Sequence, residues 1–379
     1  MILDSFIRWT ENAKASDRAK AANALVRAYL ELPEQDDRRR QAVHAMLYLL
    51  DDPSPAVRQV LADQLAYSPI APRALMLALA EDQPEISGPV LTLSPVLSDS
   101  DLVELGGRGS SVTRALIAAR PFLTSGAAAA IAEVGEVEEV QFLLENRSAQ
   151  LTRYSLRRLA ERHGEDRAIR NLLLEREDLP ADARVMLVQR VTDALASSPL
   201  VRTTMSATRI AYMTQTASDA ATLMLAGTTP PSELSVLIDH LCTTARMTPV
   251  LLLHALCTGR IEFFVCAITS LSSLEERRVR SLLATGRFHA VRALLEASGL
   301  GRDVAEIFCQ AIFLWRDMAR GAQDAETADI CGELLSRVAR PDDPFSPVSE
   351  VLAKLEELHR MEHRRHVRAM SNSTALAVA

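Results

Sequence analysis

A proline returns every 26 residues across the first third of this chain. Ser68-Pro69, Ser94-Pro95 and Arg120-Pro121 are each followed by an apolar residue: Ile70, Val96 and Phe122. A leucine landmark, Leu97, Leu123, Leu151 and Leu179, carries the period on at steps of 26, 28 and 28. Proline is accepted in the first turn of a helix and breaks its middle, so the recurrent prolines predict helix starts. The second half of each unit repeats as well. The pairs Val57/Leu61, Ile86/Val90, Val112/Leu116 and Val140/Leu144 stand four residues apart, the spacing of one helix face. Before them come the turns Asp51-Asp52-Pro53, Glu81-Asp82, Gly106-Gly107 and Gly135-Glu136.

Helical units this short cannot bury both faces alone, and stacking them builds a continuous apolar spine. Composition agrees. Aromatics are only 4%, while the apolar 48% is dominated by Ala and Leu, which favour helix over strand. The prediction is all-α: a solenoid of short HEAT-like repeats of period 26–28 over residues 38–195, preceded by capping helices at 1–37. A leucine-rich repeat has a similar period, but its Leu-x-x-Leu-x-Leu strand and Asn or Cys ladder are missing. A Ser/Thr/Ala-rich connecting helix follows at 196–229, ending at Thr228-Thr229-Pro230-Pro231. A second helical module covers 230–340, stopped by Arg340-Pro341-Asp342-Asp343-Pro344. Residues 341–379 form a charged tail helix opened by Pro347, with an irregular end from Ser371.

Several runs together resemble a known family: Phe6-Ile7-Arg8-Trp9, Leu49-Leu50-Asp51-Asp52-Pro53-Ser54-Pro55, Leu79-Ala80-Glu81-Asp82-Gln83-Pro84-Glu85, Ser94-Pro95-Val96-Leu97-Ser98-Asp99 and Ala132-Glu133-Val134-Gly135. They resemble an alphaproteobacterial helical-repeat family catalogued as a domain of unknown function. The resemblance spans most of residues 1–340. It implies a HEAT-like or leucine-rich-variant solenoid and carries over no catalytic residues.

Charge narrows the partners. Acidic side chains outnumber basic ones, 49 to 42, and a net charge of −7 repels phosphate backbones at long range. Nucleic acid is thus a disfavoured partner, unless an arginine lining hides on one face. Lysine occurs only at Lys14, Lys20 and Lys354, so the other 39 basic residues are Arg, a bias that fits a GC-rich coding sequence. Five cysteines without a Cys-x-x-Cys spacing read as buried free thiols in a reducing compartment. No signal-peptide pattern opens the chain. The most hydropathic window, Val250 to Leu271, is split by Gly259-Arg260 into two core helices rather than one membrane span. The expected location is the cytoplasm.

Motifs that carry chemistry are weak. Gly106-Gly107-Arg108-Gly109-Ser110-Ser111 lacks the Gly-Lys-Ser/Thr ending of a phosphate loop and reads as a helix stop followed by an N-cap. His240, Cys242, His254 and Cys257 lack the spacing of a zinc site and read as core residues. Scattered Ser, His and Asp residues form no nucleophile elbow. Arg38-Arg39-Arg40 and Arg277-Arg278 with Arg280 read as solvated faces, Trp9 and Trp315 as core. No metal or cofactor is expected.

The remaining candidate is the tail. Val348, Leu352, Leu355 and Leu358 give a docking stripe that stops at Leu358. Beyond it, His359, Arg360, His363, Arg364, Arg365, His366 and Arg368 crowd a basic helix end suited to an acidic protein partner, more so as the imidazoles charge in mild acid. A solenoid with no catalytic motif suggests a non-enzymatic scaffold or adaptor. A DNA-handling repeat protein and a small-ligand switch in the second module are the alternatives. A one-sided arginine stripe would favour nucleic acid, and mixed charge would favour protein.

Overall fold

A computed structural model describes residues 2–321, 330–338, 343 and 346–378, with side chains of the last helix as far as Arg364. The described residues are helical throughout, with no strand. The chain divides into two compact units, 1–190 and 191–379.

The first unit begins with α1 (Ile2–Asn12), α2 (Ala15–Glu31) and α3 (Asp37–Tyr48). It continues through α4 (Pro55–Leu65), α5 (Arg73–Ala80), α6 (Pro84–Leu93), α7 (Asp99–Arg108) and α8 (Ser111–Ala118). Then come α9 (Ser125–Val134), α10 (Val137–Glu145), α11 (Arg153–His163), α12 (Arg167–Leu174) and the start of α13 (Ala181–Ser197). Alternate helices pack on one another. One row is α2, α4, α6, α8, α10 and α12, and α7, α9 and α11 stack in the other, as in an α-solenoid. A single core runs through it from Ala22 to Leu187. The landmark leucines Leu97, Leu123 and Leu179 are buried in this spine, with Leu151 packed against it.

Polar side chains of recurrent type join the units. Arg58, the fourth residue of α4, donates from Nη1 to Asp52 O (2.5 Å) in the preceding turn and from Nε to Asp82 Oδ2 (2.6 Å) in the next unit. Arg114, the fourth residue of α8, donates to Gly109 O (2.7 Å) and pairs with Glu139 (3.3 Å). Arg170, the fourth of α12, donates to Gly164 O (3.1 Å). Arg18, the fourth of α2, does the same to Ala13 O (2.6 Å) and pairs with Asp52 (2.7 Å). Other arginines satisfy helix-end carbonyls one unit away: Arg162 reaches Ala132 O and Gly135 O, and Arg120 reaches Leu91 O and Ser94 O. These are the groups a helix leaves unbonded at its C-terminus.

Three details depart from the sequence reading. Gly106 and Gly107 are not a turn but lie inside α7. Gly106 is buried beside Leu102 and Leu105, and the packing of α7 through these leucines outweighs the low propensity of the two glycines. The stop comes at Gly109, with Ser110 as N-cap. In α8 the buried pair is Ile117 and Ala118, with Leu116 packed at the edge of the core, and Val112 is exposed. Trp9 is 43% exposed, its ring 6.1 Å from that of Phe6 and tilted to it by 36°, so it is not a core residue.

The second unit holds α14 (Pro199–Thr204), α15 (Ala207–Thr228), α16 (Pro231–Thr243), α17 (Pro249–Cys257) and α18 (Ile261–Ser272). It closes with α19 (Glu276–Thr285), α20 (Phe288–Ala297), α21 (Arg302–Gly321), α22 (Ile330–Arg337) and α23 (Pro347–Val378). The hydropathic window is α17 and α18, separated at Gly259, whose φ of 73° needs glycine. Trp315 is half-buried and donates from Nε1 to Leu256 O (2.8 Å). No helix among the described residues is long and apolar enough to cross a membrane. Apart from Asp343, the Arg340–Pro344 stop lies outside the described residues. The last helix docks through Val351, Leu352, Leu355 and Leu358 on α17, α21 and α22. It continues through the segment read as irregular, reaching Val378, where Thr374-Ala375-Leu376-Ala377 supplies helix formers.

Candidate functional site

Two places stand out, one in each unit. In the first, the Pro-apolar turns stack edge to edge. Tyr29 Oη donates to Ile70 O, Arg120 donates to Ser94 O, and Asn146 Nδ2 donates to Arg120 O (2.7 Å). Phe122 N donates to Ser148 Oγ (3.0 Å), and Gln150 N to Leu123 O (2.9 Å). The turn backbone around Phe122 is thereby tied to the turns on either side, and the residue after the proline points outward at Ile70 and Phe122, whereas Val96 packs against the core. Ile70 is exposed, Val96 is half-buried, and Phe122 is 81% exposed with a φ of 55°. A bulky residue in the left-handed region costs roughly 1–2 kcal/mol. Here an aromatic ring is held in water on a strained backbone. Such strain persists only where the surroundings impose it, and it collects at binding sites.

In the second unit a cavity of about 240 Å³, apolar over most of its lining, opens beside α23. One face of α15 supplies Tyr212, Gln215, Thr216 and Asp219, at i, i+3, i+4 and i+7. Arg246 and Thr248 come from the α16–α17 turn, Glu350 and Lys354 from α23. Asp219 and Lys354 are each 5% exposed, which for charged groups requires compensation. Lys354 Nζ pairs with Glu357 (3.1 Å), which also accepts from Tyr212 Oη (2.9 Å). Gln215 Nε2 donates to Asp219 Oδ1 (2.7 Å), and Arg246 Nη1 to Ser218 Oγ (3.0 Å).

Burial lifts the Asp219 carboxyl to about 6, against the charges of Lys354 and Arg246 and the Gln215 hydrogen bond. His254, buried on α17, is pushed down to about 4 by burial and then by the charge of Lys354. Among the described residues no three His, Cys, Asp or Glu side chains converge to hold a metal ion.

The tail candidates separate. His359 and Arg360 line a different cavity, of about 340 Å³, with Leu335, Val338, Leu352 and Glu356. His363 and Arg364 are exposed, with the His363 ring 6.5 Å from that of His359. Arg365, His366 and Arg368 are helical in backbone, and their side chains lie outside the described residues. His240 and His254 are buried.

Sequence reasoning missed the Asp219 cavity. Its one readable sign was Lys354, a lysine inside the docking stripe of Val351, Leu355 and Leu358, in a chain with only three.

A family model described as an uncharacterised protein conserved in bacteria (DUF2336) matches residues 86–342. The chain belongs to this bacterial family. Its match begins inside the solenoid, at α6, and extends through α22, so it takes in α15, Asp219 and Arg246. It stops before α23, which brings Lys354, Glu357 and the basic tail. No curated protein and no solved structure matches the chain.

Proposed function

We propose that this protein is a non-enzymatic, cytoplasmic interaction scaffold whose HEAT-like array captures a protein partner along the Pro-apolar turn edge. The observation that carries this reading is Phe122, a large ring kept 81% exposed by a strained backbone that neighbouring turns hold in place. Exposed aromatics on a rigid frame are the anchors of protein interfaces. A lone exposed apolar side chain means little, but Ile70 is also exposed at the same point of its unit, two units before Phe122.

Nucleic acid is the weaker reading. Seven arginines of the first unit are engaged within the protein rather than left for phosphate. Arg18, Arg58, Arg73, Arg114 and Arg158 pair with carboxylates of other units, and Arg120 and Arg162 bind carbonyls. The basic segment from His359 to Arg368 supports a second contact with an acidic stretch of the partner.

The test compares proteins co-purified from the native host with the wild-type chain and with Phe122→Asp. The expected result is loss of at least one specific protein with unchanged melting. Identical capture by both chains, or retention of duplex DNA at physiological salt, overturns the reading.

A further inference from the structure

The cavity beside α23 holds charges of both signs: Lys354 pairs with Glu357, while Asp219 and Arg246 face the space without pairing with each other. Asp219 and Lys354 form its buried floor, half-buried Arg246 its wall, and exposed Glu350 its mouth. Among the described residues no ion pair links Asp219 to Lys354 or Arg246, although both cations act on it through space. Gln215 is the one side chain hydrogen-bonded to that carboxylate among the described residues. Among the described residues the Arg246 guanidinium donates one hydrogen bond, to Ser218 Oγ, and it carries five donors. A buried carboxylate and an underused guanidinium thus look onto the same volume.

The signs decide the ligand. A simple anion entering here meets Asp219 and Glu350, and a simple cation meets Lys354 and Arg246. Each leaves a buried charge opposed. A molecule bearing both charges satisfies both sets at once. At about 240 Å³ the cavity falls below the usual range for drug-sized ligands, so the occupant is small. Val250, Ala353 and the Tyr212 ring give an apolar surface near the mouth for a side chain.

We propose that this cavity binds a small zwitterion of the free amino-acid class, its ammonium on Asp219 and Glu350 and its carboxylate on Arg246 and Lys354. The site lies in the second unit and does not depend on the turn edge of the first.

The test titrates the full-length chain with each of the twenty amino acids at about 1 mM, following binding by equilibrium dialysis and thermal unfolding. Butylamine and butyrate serve as single-charge probes. At least one amino acid is expected to bind and raise the melting temperature, with neither single-charge probe doing so. Asp219→Asn and Arg246→Gln should each weaken binding by about tenfold or more, because each strips a charge-assisted hydrogen bond. Should Asp219→Asn fail to fold, Arg246→Gln, on a half-exposed side chain, decides alone. Binding of no amino acid, equal binding of butyrate or butylamine, or binding that survives Arg246→Gln overturns the assignment.

Discussion

Arg58 grips Asp82 with two parallel bonds, Nε to Oδ2 at 2.6 Å and Nη2 to Oδ1 at 3.1 Å, while its third arm holds the carbonyl of Asp52. One side chain therefore fixes its own helix start and the turn of the next unit. Both partners are 17% exposed, so solvent screens the pair less than a surface bridge.

Arg58→Ala should destabilise the first unit by about 1–3 kcal/mol, the cost of leaving a half-buried carboxylate and a carbonyl unsatisfied. Arg58→Lys should recover less than half, because an ammonium cannot reproduce the fork. A double-mutant cycle with Asp82→Asn, read by denaturant unfolding, checks this; additive effects would refute the coupling. Arg58 holds Asp82 below its ordinary range, and Arg73 chiefly holds Asp101 down to about 2. Their stabilisation is full above about pH 4 and disappears as pH falls through the folded values.

The second unit should show opposed pH slopes. Asp219, raised to about 6, contributes stability that is present below about pH 4 and lost as pH rises through 6. His254, lowered to about 4, contributes stability present above about pH 6.5 and lost as pH falls through 4. Between those limits the two nearly cancel. Asp219→Asn should stabilise the chain at pH 7 by about 1–3 kcal/mol and expose a stability that declines from pH 6.5 to 4. Denaturant melts at pH 7, 5.5 and 4 read this directly. A flat profile for the variant refutes it.

Among the described residues three that are not glycine occupy the left-handed region: Phe122, Ala245 and Ser273. Ala245 ends α16 with Arg246 N bonded back to Leu241 O, the arrangement in which Gly259 and Gly299 end α17 and α20. Ala245→Gly should therefore raise stability by about 0.5–1 kcal/mol. Phe122→Gly should do the same at little cost in burial, and should abolish partner capture. Calorimetric melting paired with co-purification separates the two substitutions.

The tail should be dispensable for folding. Leu358 is the last buried apolar residue of α23 among those described. Deleting 359–379 should change stability by less than about 1 kcal/mol and weaken capture of an acidic partner. Intact capture would confine the binding surface to the solenoid.

The solenoid was legible because its period is written twice, in the prolines and in the leucines, and both are local. Gly106-Gly107 misled because the packing of α7 through Leu102 and Leu105 carries the helix past two residues of low propensity. Val112 misled because α8 buries Ile117 and Ala118 against other helices, and apolar spacing within one helix does not say which of two apolar faces its neighbours will cover. The Asp219 cavity was out of reach for the same reason on a larger scale. Its walls come from α15 and α23, and the Tyr212–Glu357 bond that ties them spans 145 positions. Residue spacing along one helix cannot report such a meeting.

Arginine stands fourth in α4, α8 and α12, at Arg58, Arg114 and Arg170, which are 56 residues apart, while Ser87 and Val140 occupy the fourth place in α6 and α10. Arg18 holds the same place in α2, and Arg18, Arg58 and Arg114 each pair with a carboxylate of the unit that follows. Every one of these clasps reaches forward along the chain. Excising a unit from this stretch would therefore strand the arginine before it without its acceptor, so any change of length must carry the acidic turn along with the helix pair.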